Sequence, residues 1–212
     1  MIHFHYLVAA QWAYKELGYT PIDVPWWATR DIVNLTKANG LPRDNEYELS
    51  LNKKCLLASG EQGFLYMANK GQLATGNYQT ITPCFRNEPH DEFHQKQFMK
   101  LELMEYMDTH TPWHRAPEAE ALNTRIEDMV DNALDTFERL AQKKMAVRAV
   151  VTCDNDPVRV PGTVSYDIEG QWGDRWIELG SYGARRAVFG TWLFGTGLAE
   201  PRFSKVLHAA SF

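Results

Sequence analysis

The sequence predicts an α+β fold, an antiparallel β-sheet flanked by helices. Three observations predict it. Segments 78–88 and 97–107 read as two strands joined by the polar loop 89–96, the pattern of a hairpin. Three more strand-like segments, 146–152, 164–169 and 175–181, follow one another with no helix between them. One long helix stands apart: Pro117 suits its first turn, and Ala121, Ile126, Met129, Val130, Ala133, Phe137, Leu140 and Ala141 keep an apolar stripe to about Lys144. With 212 residues, 44% of them apolar, the chain is expected to form a single domain over 1–212.

The remaining elements fall around this frame. Leu7, Val8, Trp12 and Leu17 lie near helical spacing over 5–17, and Gly18 stands where a helix C-cap belongs. Residues 19–27 contain Pro21 and Pro25 and read as extended, because proline cannot continue a helix and restrains its predecessor. A short helix over 29–39 precedes the Gly40-Leu41-Pro42 turn, and 40–54 is polar and loop-like. A short strand over 55–59 leads into a helix over 61–69 that closes near Gly71. The last element is a helix from about Glu200, entered from the glycine-rich 195–199.

Composition narrows the function classes. The formal charge of −5 gives the whole molecule no pull on polyanions, so a nucleic-acid partner would need a local patch such as Arg185, Arg186, Arg202 and Lys205. Three dispersed cysteines, Cys55, Cys84 and Cys153, argue for a reducing compartment rather than a disulfide scaffold. No signal-peptide pattern and no run of about 18 apolar residues occurs, so the expectation is a cytoplasmic protein that does not cross a membrane.

Residues 83–102 are the most informative. Arg86 and Glu88 stand two apart, and His94, Phe98 and Glu102 follow at intervals of four. A cation for phosphates, an aromatic face for a purine and carboxylates for amino groups or a metal make a set suited to a nucleoside triphosphate. Taken alone, the string is also an ordinary charged hairpin. In 195–202, Gly195, Gly197 and Ala199 alternate along one face of an extended segment, where a flat ligand can lie against bare backbone, and Arg202 falls at the head of a helix.

The stretch around Arg86 resembles motif 2 of the class II aminoacyl-tRNA synthetases, and 195–202 resembles their motif 3, with Ala199 where a third Gly is usual. Leu17-Gly18-Tyr19 followed by Asp23-Val24-Pro25 is similar to motif 1. Ala58-Ser59-Gly60-Glu61 is similar to the Thr/Ser-x-Glu element of the seryl and threonyl enzymes. Asp167-Ile168-Glu169 and 176–181 resemble the strands that precede motif 3. The elements occur in family order over roughly 7–207.

The resemblance implies ligase chemistry with ATP and Mg²⁺ as cofactors: an amino acid is activated as its adenylate and passed to an acceptor. It implies that Arg86 contacts the α-phosphate and the substrate carboxylate, Glu88 reads the adenine amino group, and Phe98 stacks on the ring. His94 and Arg202 would meet the outer phosphates, with Ser181 also on the ATP side. Glu178, and secondarily Glu102, would hold Mg²⁺, while Ser59, Glu61 and Glu102 would take the amino acid. The nearest subgroup is seryl/threonyl/glycyl, which implies a small or polar substrate. Motif 1 implies a homodimer with Trp26 and Trp27 as interface anchors, the other tryptophans being core or interface.

Because the sequence starts almost at motif 1 and stops just after motif 3, the expectation is a catalytic core without an anticodon-binding domain. The acceptor is therefore open: tRNA or another nucleic acid, a carrier protein, or a small molecule. A catalytically silent relative serving as a binding or regulatory subunit is the alternative from another class. It is disfavoured because Arg86, Glu88, Phe98, Glu178 and Arg202 are all present. His90 and His94, spaced like a zinc-protease pair, lack the correctly placed glutamate, and Cys84 lacks partner cysteines for zinc.

Overall fold

A computed structural model describes residues 1–36, 47–49, 54–87, 89, 91–108, 117–142, 144–152 and 156–209. In chain order the elements are α1 (Phe4–Glu16), β1 (Thr20–Pro21), β2 (Trp27–Thr29), α2 (Arg30–Leu35), β3 (Glu48–Leu49), β4 (Lys54–Leu56), α3 (Gly60–Asn69), β5 (Gly76–Phe85) and β6 (Gln97–Asp108). They continue with α4 (Ala119–Leu140), β7 (Val147–Thr152), β8 (Ser165–Trp172), β9 (Arg175–Ala187), β10 (Gly190–Glu200) and α5 (Arg202–Ala209). A seven-stranded sheet runs in the order β1-β5-β6-β10-β9-β8-β7, antiparallel except where β1 joins β5, and β2-β4-β3 form a small second sheet. The α+β class and the antiparallel sheet flanked by helices are as the sequence predicts.

Helix ends follow local chemistry. Gly18 adopts φ +91°, its N–H reaches the Lys15 carbonyl at 3.1 Å, and the Tyr19 N–H reaches Tyr14 at 3.0 Å. Gly71 repeats the arrangement after α3, with φ +67° and bonds back to Ala68 and Met67. Both are Schellman stops, which need a residue that tolerates the left-handed region.

The strand period divides the core. In β6, Leu101 and Leu103 face α1 and α4, while Met104 and Tyr106 face α3 and the small sheet. The first core takes Leu7, Ala10 and Tyr14 from α1, and Leu122, Ile126, Met129, Val130, Ala133 and Phe137 from α4. Ala121, expected in the α4 stripe, is exposed, and Leu122 opens the stripe instead. The apolar set expected in α1 also divides: Leu7 is buried, whereas Val8 and Trp12 line up with Phe4 at intervals of four on the exposed face.

Several boundaries differ from expectation. The strand expected over 175–181 runs on to Ala187, and β10 between β6 and β9 continues well upstream of the extended 195–199. Central strands are buried on both faces, so 190–200 shows no alternation to read. Part of the loop-like 40–54 forms β3 and the start of β4, and α2 ends at Leu35. The last helix begins at Arg202, after a cis Glu200–Pro201 bond. Glu88, His90, Trp113 and Cys153 lie outside the described residues. No helix among the described residues is long and apolar enough to cross a membrane.

Candidate active site

An open pocket lies between the β5–β6 hairpin, β9, the end of β10 and the start of α5. Arg86, His94, Phe98, Glu178 and Arg202, from three separate stretches of sequence, all line it. Phe93, Gln95, Lys100, Gly180, Thr196 and Ala199 complete much of the wall.

Arg86 follows directly on β5. Its Nε donates to the Ala58 carbonyl at 3.2 Å, its backbone N–H bonds Lys96 at 3.0 Å, and its guanidinium lies 5.2 Å from the Phe98 ring centre. Phe98 is paired with Cys84 in the register, so the hairpin brings cation and ring to the same rim. Such a pair offers one charged fork and one aromatic ring to a ligand. Behind it, burial and the nearby Glu102 push the Cys84 thiol up to about 11. Cys84 is a buried thiol.

The opposite wall carries Arg202 and Glu178. Arg202 Nη1 donates to the Glu178 carbonyl at 3.1 Å and lies 3.6 Å from its Oε1. Ser181 Oγ donates to the same Oε1 at 3.4 Å, and the Ser181 N–H to Thr196 Oγ1 at 3.4 Å. Ser181 therefore stands behind Glu178 and Thr196 rather than in the wall.

His94 is set by Asp91, whose Oδ2 is 2.6 Å from its Nδ1. Asp91 Oδ1 accepts the Phe93 and His94 N–H groups at 2.8 and 2.7 Å. Hydrogen bonds from the His94 backbone and ring lower the Asp91 pKa to about 2.

Ser59, Glu61 and Glu102 stand apart from the pocket wall. Glu102 is only 3% exposed; its Oε1 accepts Ser59 Oγ and lies 2.9 Å from Lys100 Nζ. Glu102 is thus a buried carboxylate paired with Ser59 and Lys100, set behind the pocket wall. Glu61 accepts Trp192 Nε1 at 2.7 Å and an Arg185 N–H. Arg185 also donates to Asp156 and stacks over Phe194 at 4.0 Å. Burial opposes its charge, but Glu61 and Asp156 outweigh it and hold its pKa above the ordinary value. The expected use of Glu61 for a substrate ammonium meets a carboxylate already paired in the second core.

The small-residue alternation of β10 is also corrected. The register against β6 shifts between Thr196 and Leu198, a bulge that reverses side-chain parity. A side chain at Gly195 would strike Met129 and Tyr182, and one at Gly197 would strike Tyr14 and Leu101. Those glycines make room for the core; Ala199 is the member of the trio that reaches the pocket. The bare backbone of the wall is Gly180, where a Cβ would come within 2.6 Å of Thr196 Cβ. Lys100 was legible but overlooked, since it shares a strand face with Phe98 and Glu102.

Among the described residues no group of three or more His, Cys, Asp or Glu is placed to hold a metal. Glu178, at the wall, fits the requirement of Mg²⁺ for one carboxylate supplemented by ligand phosphates and water.

No protein-family model matches the chain, and no curated protein matches it in sequence. The fold is similar to that of solved class II aminoacyl-tRNA synthetases. Seryl-tRNA synthetase from Pyrococcus horikoshii, complexed with ATP, superposes with a TM-score of 0.72 at 21% identity, covering 93% of this chain and 48% of that one. The pyrrolysyl-tRNA synthetase PylSc of Desulfitobacterium hafniense gives 0.68 at 17%, covering 97% and 68%. Cytoplasmic serine-tRNA ligase from Naegleria fowleri, in complex with AMP, gives 0.68 at 18%, covering 91% and 50%. At these identities the likeness is one of fold, and this chain spans about half the length of the seryl enzymes.

Proposed function

We propose that this chain is an ATP-dependent ligase that activates an amino acid as an aminoacyl-adenylate and passes it to an acceptor, with tRNA or another nucleic acid first and a carrier protein or small molecule second. The observation that carries the reading is the convergence of Arg86, Phe98, Glu178 and Arg202 on one pocket of a synthetase-like fold.

In the proposed reaction an oxygen of the amino-acid carboxylate attacks the α-phosphorus in line. The bond to the bridging oxygen breaks, and pyrophosphate departs with the electron pair. Positioning and charge neutralisation account for most of the rate in such a step. Arg86 would neutralise the α-phosphate and align the carboxylate; Arg202 and His94 would hold the outer phosphates; Phe98 would face the purine, with Glu88 reading its amino group. Mg²⁺, bound through Glu178, would screen the phosphate oxygens. Ser59 and Glu102, beneath the pocket, remain the candidates for the substrate ammonium. The exposed row Phe4, Val8 and Trp12 on α1 supports a homodimer, and sedimentation showing only monomer at micromolar concentration would remove that part.

One observation favours a second reading, a binding or regulatory subunit without catalysis: Glu61 is consumed by Arg185 and Trp192. ATP–pyrophosphate exchange with each of the twenty amino acids, run beside Arg86→Ala, decides between them. Exchange with one or a few amino acids, lost in the variant, supports the ligase. No exchange, even with added RNA, leaves the second reading.

A further inference from the structure

The loop over 91–96 carries three pocket-lining side chains, Phe93, His94 and Gln95. Internally it is tied by Asp91, which also bonds the His94 carbonyl through its own N–H at 3.1 Å and accepts Gln95 Nε2 at 3.1 Å. That knot fixes the shape of the loop but not its position over the pocket. Position comes from elsewhere. The Phe93 ring meets Trp172 edge to face, with centres 5.2 Å apart and planes at 84°. The Arg175 guanidinium lies 5.4 Å from the Trp172 ring and 6.0 Å from that of Phe93. Lys205 Nζ, from α5, donates to the Glu92 carbonyl.

Trp172 and Arg175 are register partners flanking the Gly173–Asp174 turn at the tip of the β8–β9 hairpin, and Gly173 supplies the positive φ of +58° that so tight a turn needs. Trp172 and Phe93 both pack against the main core. The tip is therefore anchored at its base by sheet pairing and at its side by the core, and the loop leans on it.

We infer that Trp172, assisted by Arg175, is a positioning residue: the β8–β9 tip is a fixed post that holds the His94 loop at the pocket rim before any ligand arrives. The functional half of this inference rests on the proposed reading of the pocket as a nucleotide site. A loop held in place in the free protein loses little further freedom on binding, so the post acts on nucleotide affinity rather than on amino-acid affinity.

Hydrogen exchange on the ligand-free chain tests the post directly. Trp172→Ala is expected to speed exchange of the Phe93 and His94 amides by about two- to tenfold, the range an aromatic contact supplies, with the rest of the sheet unchanged. Trp172→Phe is expected to restore it, and Arg175→Ala to give a smaller increase. Exchange in 91–96 unchanged by Trp172→Ala, or raised equally throughout the chain, overturns the inference. Should Trp172→Ala fail to fold, Arg175→Ala and Trp172→Phe carry the same comparison. Titration with ATP separates the two claims. Weaker ATP binding in Trp172→Ala with rescue by Trp172→Phe supports both. Equal ATP binding by wild type and Trp172→Ala sinks the positioning role while the nucleotide reading stands. A faster loop in a protein that never binds ATP keeps the post and removes the nucleotide reading.

Discussion

The Tyr14 hydroxyl, on the first helix, donates to the carbonyl of Gly197 at 3.1 Å, on the strand that ends at the pocket. Gly197 sits in the β10 bulge, where β6 offers it no register partner. The Tyr182 hydroxyl caps the neighbouring Thr196 carbonyl. Two buried tyrosines thus satisfy backbone groups that the bulge exposes, and burial raises the pKa of both. The bulge in turn sends Ala199 to the pocket and Leu198 to the core.

Tyr14→Phe removes one of those donors and leaves the buried Gly197 carbonyl without its hydroxyl partner. The expected loss is about 1–3 kcal/mol of stability, measured by urea unfolding. An unchanged midpoint would mean that the bulge is held by packing alone.

Arg185 ties together Glu61, Asp156 and the Phe194 ring, with its side chain 13% exposed. Breaking a buried pair strands the remaining charges, so Arg185→Met is expected to destabilise by about 3–5 kcal/mol. Glu61→Gln retains a hydrogen-bond acceptor for Trp192 and should be milder. Equal effects from the two variants would contradict this assignment of roles.

Arg86 joins the hairpin to the Ala58 carbonyl and faces the Phe98 ring. Under the proposed reaction, Arg86→Ala lowers pyrophosphate exchange by about 10²–10³, equivalent to about 2.7–4 kcal/mol. Arg86→Lys is expected to recover little, because a point charge does not reproduce a planar fork. Circular dichroism distinguishes this from misfolding.

The Asp91 knot has a defined pH window. Its folded pKa, about 2, lies below the ordinary 3.8, so its contribution to loop order is complete above the ordinary value and is lost as pH falls from about 4 through about 2. The His94 amide, followed by NMR from pH 6 to pH 2, should lose protection over that interval. Asp91→Asn should abolish the dependence while keeping an acceptor oxygen. Protection that is already lost at pH 5 would point to a different group.

Cys84 is buried, with its thiol pushed up to about 11, so little thiolate forms at neutral pH. Iodoacetamide followed by peptide mapping should leave Cys84 unmodified in the native protein and alkylate it in denaturant. Rapid native labelling would show that the hairpin opens.

Local chemistry made much of this molecule legible. The hairpin around the loop 89–96, the α4 stripe and the glycine stops at Gly18 and Gly71 are each written in a few adjacent residues. Those constraints also brought Arg86, His94 and Phe98 to one rim, because a two-residue period and a short loop leave a hairpin few choices. Long-range pairing settled the rest. The strand β10 carries no alternation because both of its faces are buried. The parity of Gly195, Gly197 and Ala199 turned on a bulge whose carbonyls are satisfied by Tyr14 and Tyr182, and the carboxylate of Glu61 was claimed by Arg185, far along the chain. A buried polar group must find its partner wherever the fold brings one, and no local pattern records where that is.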